Sequence, residues 1–165
     1  MVTNSIQHHC AVLSEALLAK HALMATAESC TGGLIAASCT DLSGSSAWFE
    51  RGFVTYSNEA KTDMLGVPAA LISRHGAVSE EVAKAMALGA LHHSKADFSV
   101  AVTGIAGPSG GSEEKPVGTV WLAWAQKNPM QCISVCKVFT GDRQSVRAAT
   151  TALALNQLAA MVASN

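Results

Sequence analysis

A three-layer α/β/α sandwich around a mixed, mostly parallel five-stranded sheet is the fold class this sequence predicts, and three observations carry it. Helical stretches with one apolar stripe alternate with short apolar runs, the pattern of strands covered by helices. Two consecutive apolar runs late in the chain are joined by a turn too short for a crossover, so they pair antiparallel. No linker, repeat or low-complexity segment interrupts the 165 residues, so one domain spanning 1–165 is expected.

Each element has its own signal. Ile6, Cys10, Leu13, Leu17 and Leu18 form one stripe of a first helix from about Ser5 to Lys20. Residues 22–27 read as a short buried strand, and Gly32-Gly33 open a helix that runs to about Leu42. Gly44-Ser45-Ser46 breaks it. Phe53-Val54-Thr55-Tyr56 reads as a second strand, Asn58 to Met64 as a polar helical turn, and Pro68 and Gly76 as the punctuation of a loop. Ser79, with Glu80 and Glu81 behind it, caps a helix reaching about His93. Phe98 to Val102 is a strand that ends in a glycine-rich loop, Thr103 to Gly111. Val117–Ala125 and Cys132–Phe139 are the hairpin strands, turning at Asn128-Pro129, and a last helix runs from Asp142 to about Val162.

Composition excludes several function classes. Charged residues are only 14% of the chain and hydrophobic ones 49%, against roughly 25% charged in an average domain. That balance suits a compact core and leaves apolar surface for a subunit interface, so a homo-oligomer, a dimer, is expected. Net charge is −1 and no Lys/Arg run occurs, which argues against a binder of polymeric nucleic acid. The five cysteines are odd in number and form no CxxC pair, and Met1 to Ile6 is no signal peptide. Reduced thiols in the cytoplasm fit best. No apolar run reaches the length needed to span a bilayer, and no metal-ligand motif is present.

Polar residues collect at three strand ends, where ligands gather in open α/β sheets. The first is Glu28-Ser29-Cys30-Thr31-Gly32-Gly33. A hydroxyl there sits beside the free N–H groups of a helix N-terminus, which can hold an anion or a developing oxyanion. Ser29 or Thr31 is then either a helix cap or, for Ser29, a nucleophile; Cys30 is either a small buried thiol or a second nucleophile. The second strand end carries Tyr56 and, five residues on, Lys61, which is either a solvated charge or a base whose pKa desolvation lowers toward neutrality. His75 is the histidine held in reserve for that role. The third end carries Thr103 and Gly104, opening a loop that fits neither the dinucleotide fingerprint nor the P-loop. Lys115, in the charged stretch Ser112 to Lys115, reads as a mobile rim. Arg143 opens the last helix, at the end the macrodipole disfavours for a cation, which suits an anionic ligand.

The residues Ala27-Glu28-Ser29-Cys30-Thr31-Gly32-Gly33, with the segments Gly44–Phe49, Gly52–Lys61, His75–Ser79, Thr103–Pro108 and Lys115–Val120, resemble in order the motifs of one family. It is the nicotinamide-nucleotide amidase family, also found as the C-terminal domain of the competence-damage-inducible protein CinA. The resemblance covers essentially the whole chain, which looks like the stand-alone amidase form. It implies hydrolysis of the carboxamide of nicotinamide mononucleotide, with no cofactor. Matched residue by residue, Ser29 would be the nucleophile, Lys61 its base, Tyr56 an orienting group and Thr103 a support. Gly32, Gly33 and Gly104 would line the substrate with backbone N–H groups, and Ser46 and Arg143 match substrate-binding positions. A nucleotide-binding module without catalysis, and a serine-lysine hydrolase of another amide, are the alternatives.

Overall fold

A computed structural model describes residues 2–165, with side chains from Ser5 onward. One five-stranded sheet has the order β2-β1-β3-β4-β5, built from β1 (Met24–Glu28), β2 (Phe49–Val54), β3 (Phe98–Gly104), β4 (Thr119–Gln126) and β5 (Gln131–Val138). The pairings β1/β2 and β1/β3 are parallel, and β3/β4 and β4/β5 antiparallel. Four strands therefore run one way and β4 alone runs back, a mixed, mostly parallel sheet.

Strand alternation separates two cores. Met24, Val100, Val102, Leu122 and Trp124 face the layer of α1 (Val2–Ala19), α2 (Leu34–Thr40) and α6 (Arg143–Ala163). Ala25, Ala27, Ala101, Ala123 and Ala125 face the other layer, formed by α3 (Asn58–Leu65), α4 (Ala69–His75) and α5 (Glu80–His92). Small side chains on that face let α5 come close, and Ser99 Oγ reaches the Ala87 carbonyl at 2.8 Å. None of the described helices is long and apolar enough to cross a membrane. The thiols of Cys10, Cys30 and Cys39 are buried, Cys132 is half-buried and Cys136 exposed, all unpaired.

Three expectations need correction. β2 spans Phe49–Val54 and not 53–56, because register with β1 starts at Phe49 opposite Met24 and its polar residues lie on an edge strand. The expected loop between Pro68 and Gly76 is helix α4; Pro68 is its N-cap and Gly76, at φ 79°, its C-cap. The two residues mark the ends of an element, not its absence. The second helix starts at Leu34, behind Gly33 in the left-handed region at φ 99°.

Parallel pairing brings the carboxyl ends of β2, β1 and β3 side by side. Glu28 stands opposite Val54 and Val102; Ser29 N–H donates to the Val102 carbonyl (3.1 Å), and Thr55 N–H to the Glu28 carbonyl (2.8 Å). Whatever follows β1 is thus flanked by the residues that follow β2 and β3.

Candidate active site

Ser29 is the first residue past β1, an interior strand next to edge strand β2, and the chain turns there through Gly32 (φ 60°) and Gly33 (φ 99°). Its hydroxyl does not cap α2. Glu28 does: its fully buried carboxylate accepts from Thr31 Oγ1 (2.6 Å), Ile35 N (2.8 Å) and Ala36 N (2.9 Å). A carboxylate at a helix N-terminus satisfies orphan N–H groups and opposes the macrodipole. The reading of Ser29 or Thr31 as cap is replaced, and Ser29 Oγ is left for another partner. Glu28→Ala is expected to cost roughly 2–4 kcal/mol, measured by urea unfolding, because it strands two amides and a hydroxyl in the interior.

The partner is Lys61. Ser57 at the start of α3 accepts from Ala60 N, holding the first turn so that Lys61 points back under the sheet end. Its side chain is 1% exposed, and Nζ lies 3.0 Å from Ser29 Oγ, 2.8 Å from the Thr55 carbonyl and 3.4 Å from the Tyr56 carbonyl. The alternative of a solvated surface lysine is set aside by this burial. A neutral amine has two hydrogens and one lone pair, which match two carbonyls and one hydroxyl proton. Burial holds the Lys61 pKa below the usual 10.5, with the Cys30 side chain opposing weakly. Burial also pushes the Cys30 thiol up to about 11, so it stands beside Ser29 protonated and weakly nucleophilic.

Ser29, Cys30, Tyr56, Lys61, Thr103, Gly104 and Arg143 line one cavity of about 190 Å³. Asn58, Ala77, Val78 and Ala106 line it as well. All four lie in segments that resemble the family motifs, but no reading of the residue types gave them a role; the fold brings them to the cavity. Thr103 Oγ1 donates to the Ala77 carbonyl at 2.8 Å, so its hydrogen is engaged with the cavity wall. Arg143 bridges the mouth, donating to the Gly107 carbonyl (2.8 Å) and to Tyr56 Oη (3.2 Å), with no carboxylate against it among the described residues.

Other expected site residues are placed differently. Gly32 and Gly33 shape the turn and do not line the cavity; added Cβ atoms would meet Arg147 and Val54 there. Gly104 lines it, yet its lack of a side chain is needed for packing, since a Cβ would lie 2.7 Å from Val120 and 2.8 Å from the Thr119 carbonyl. Ser46 is exposed in a 3-10 turn (Ser45–Ala47) ahead of β2, at the opposite end of the sheet from Ser29, so this chain alone does not bring it to the cavity. His75 lies 3.4 Å from Glu81 and outside the cavity. Lys115 is not a mobile rim: its ammonium donates to the Val78 carbonyl at 2.7 Å. A wider recess of about 640 Å³ lies at the far end of the sheet, among Leu65, Leu88, His92, His93, Lys127 and Met130, and joins no nucleophile to a base.

Comparison with known proteins agrees with this arrangement of elements. A nicotinamide-nucleotide amidohydrolase PncC of Escherichia coli is 56% identical over 146 residues, 88% of each chain. One of Pseudomonas putida is 54% identical over 146 residues, 88% of this chain and 90% of the relative. The crystal structure of a competence/damage inducible protein from Agrobacterium tumefaciens superposes with a TM-score of 0.91 at 46% identity, covering 95% of both chains. The sequence profile of the CinA C-terminal domain matches residues 6–162, and with these relatives it establishes that the chain belongs to the CinA C-terminal domain family.

Proposed function

We propose that the chain hydrolyses the carboxamide of nicotinamide mononucleotide to nicotinate mononucleotide and ammonia, with Ser29 as nucleophile and Lys61 as its base. The observation that carries the reading is the buried contact of 3.0 Å between Lys61 Nζ and Ser29 Oγ, at the mouth of a helix. The relatives named as nicotinamide-nucleotide amidohydrolases support the substrate.

An amide is a poor electrophile with a poor leaving group, so both ends of the reaction need help. Lys61, neutral at rest, takes the Ser29 proton as Oγ attacks the carboxamide carbon. In this turn the Ser29 N–H serves the Val102 carbonyl and the Gly32 N–H the Ser29 carbonyl, so the oxyanion falls to the N–H of cavity-lining Cys30, a donor worth roughly 3–4 kcal/mol if lost. The lysine ammonium then protonates the departing nitrogen, releasing ammonia and leaving an ester on Ser29. Water, deprotonated by Lys61, hydrolyses that ester and restores the serine. The substrate ring is a pyridinium cation, which draws electrons from the carbonyl and disfavours a second positive charge on Lys61. Tyr56 acts through its hydroxyl on Arg143, and Thr103 through the Ala77 carbonyl. The same proposal places a homodimer in the cytoplasm, acting on a free mononucleotide, with sedimentation velocity as the check on the dimer.

The deciding experiment is ammonia release from nicotinamide mononucleotide by the purified protein. Binding without release would favour a nucleotide-binding module, and release only from other amides a different hydrolase. Within this reading Arg143 takes the phosphate, exchanging neutral oxygens for an anion. Arg143→Ala should then raise KM by roughly 10- to 150-fold and change kcat far less, because such binding is shared by ground and transition states. Nicotinamide riboside should be a poor substrate that is insensitive to the substitution. Equal losses for both substrates would move Arg143 to the ribose or ring.

A further inference from the structure

The cavity wall opposite Ser29 is the end of α4 with its connection to α5, and the four successive carbonyls of residues 75–78 are each held by a side chain. Lys115 Nζ takes the carbonyls of His75 (3.4 Å) and Val78 (2.7 Å), Ser79 Oγ that of Gly76 (2.8 Å), and Thr103 Oγ1 that of Ala77 (2.8 Å). Ala77 and Val78 line the cavity. Lys115 reaches this wall from the glycine-rich loop between β3 and β4, where its neighbours Glu114 and Pro116 are exposed and it is half-buried. Its backbone is fixed at both atoms: Lys115 N–H donates to Ser112 Oγ (3.0 Å), and its carbonyl accepts from Ser112 N–H (2.8 Å). Glu113 and Glu114 adjoin it in sequence, but the ammonium pairs with carbonyls and with neither carboxylate among the described residues. Gly76 stands at φ 79°, and a Cβ there would lie 3.5 Å from Nζ.

The same loop is held on its other side by Arg143, through the Gly107 carbonyl. A substrate anion that captures Arg143 takes that tether away. What then ties the loop to the 75–78 wall is Thr103 at its base and, at its far end, the Lys115 strap.

We infer that Lys115 is a positioning residue for amide hydrolysis: it sets the width of the cavity between the glycine loop and the 75–78 wall without touching the reacting atoms. This rests on the proposed function. An ammonium–carbonyl bond in a half-buried site corresponds to roughly 10- to 150-fold in an equilibrium constant. Lys115→Met, which keeps the stem and removes the charge, should lower kcat/KM for the mononucleotide by about that factor, mainly through KM. Labelling of Ser29 by phenylmethylsulfonyl fluoride should keep its wild-type rate, and Lys115→Arg should recover most of the loss, since a guanidinium can also serve two carbonyls. Amide exchange over residues 75–82 should quicken in Lys115→Met and return in Lys115→Arg. Wild-type kcat/KM in Lys115→Met would overturn the inference, as would turnover and Ser29 labelling falling together, or unchanged exchange. A wild-type protein that releases no ammonia would sink the functional reading instead, and the exchange comparison would still decide whether Lys115 holds the wall.

Discussion

Ser29→Ala is expected to fold normally and to lose ammonia release by at least about 10³-fold, the largest effect any single substitution here should produce. The hydroxyl caps no helix, and its one side-chain contact is with Lys61. Losing that contact costs about 1 kcal/mol, a Tm shift of about 2–4 °C for a chain of this size. Thermal unfolding and an ammonia assay on the same preparation separate the two effects. A folded variant within about tenfold of wild type would move the chemistry elsewhere. Cys30 would be the first suspect, although its thiol, pushed up to about 11, makes it a poor one.

Lys61→Arg should fail as badly as Lys61→Ala. Arginine keeps the reach but stays protonated, so it cannot accept the serine proton. If arginine restores most activity, the role is charge and not proton transfer. The pH profile gives an independent check. Lys61 is active as the free amine, so kcat/KM should rise with pH along a limb whose midpoint lies below the usual lysine value of 10.5, and fall as pH drops through it. Stability carries the same sign. The folded state binds fewer protons than the unfolded chain between the lowered value and 10.5, so unfolding free energy should rise with pH across that window. Removing Lys61 should flatten both trends.

How much of this was legible in the sequence differs from element to element. The Ser79 cap, the start of the last helix at Asp142 and the hairpin around Asn128-Pro129 read correctly because their signals are local, a side-chain oxygen three residues ahead of an amide or a turn between two apolar runs. Helix α4 did not, because seven residues between a proline and a glycine look like a loop until those two are seen as its ends. Spacing alone left Lys61 open between base and surface charge; burial of a lysine depends on where α3 packs, which no window of residues encodes. Lys115 was misread for the same reason. Its charged neighbours are solvated, and only tertiary placement shows that it points the other way. Ser46 marks the reverse failure, a motif in register with its family whose position in this chain is far from the cavity.

The grading of the five thiols makes the protein its own reporter of local opening. An alkylating reagent should mark Cys136 at once and Cys132 more slowly, while Cys10, Cys30 and Cys39 wait for the structure to open around them. Cys10 and Cys39 sit in α1 and α2 and report on that helical layer, whereas Cys30 sits in the turn beside Ser29. Their separate alkylation rates therefore clock two regions of one molecule without any engineered label. A saturating mononucleotide that fills the cavity should slow the Cys30 clock and leave that of Cys136 running at its own pace.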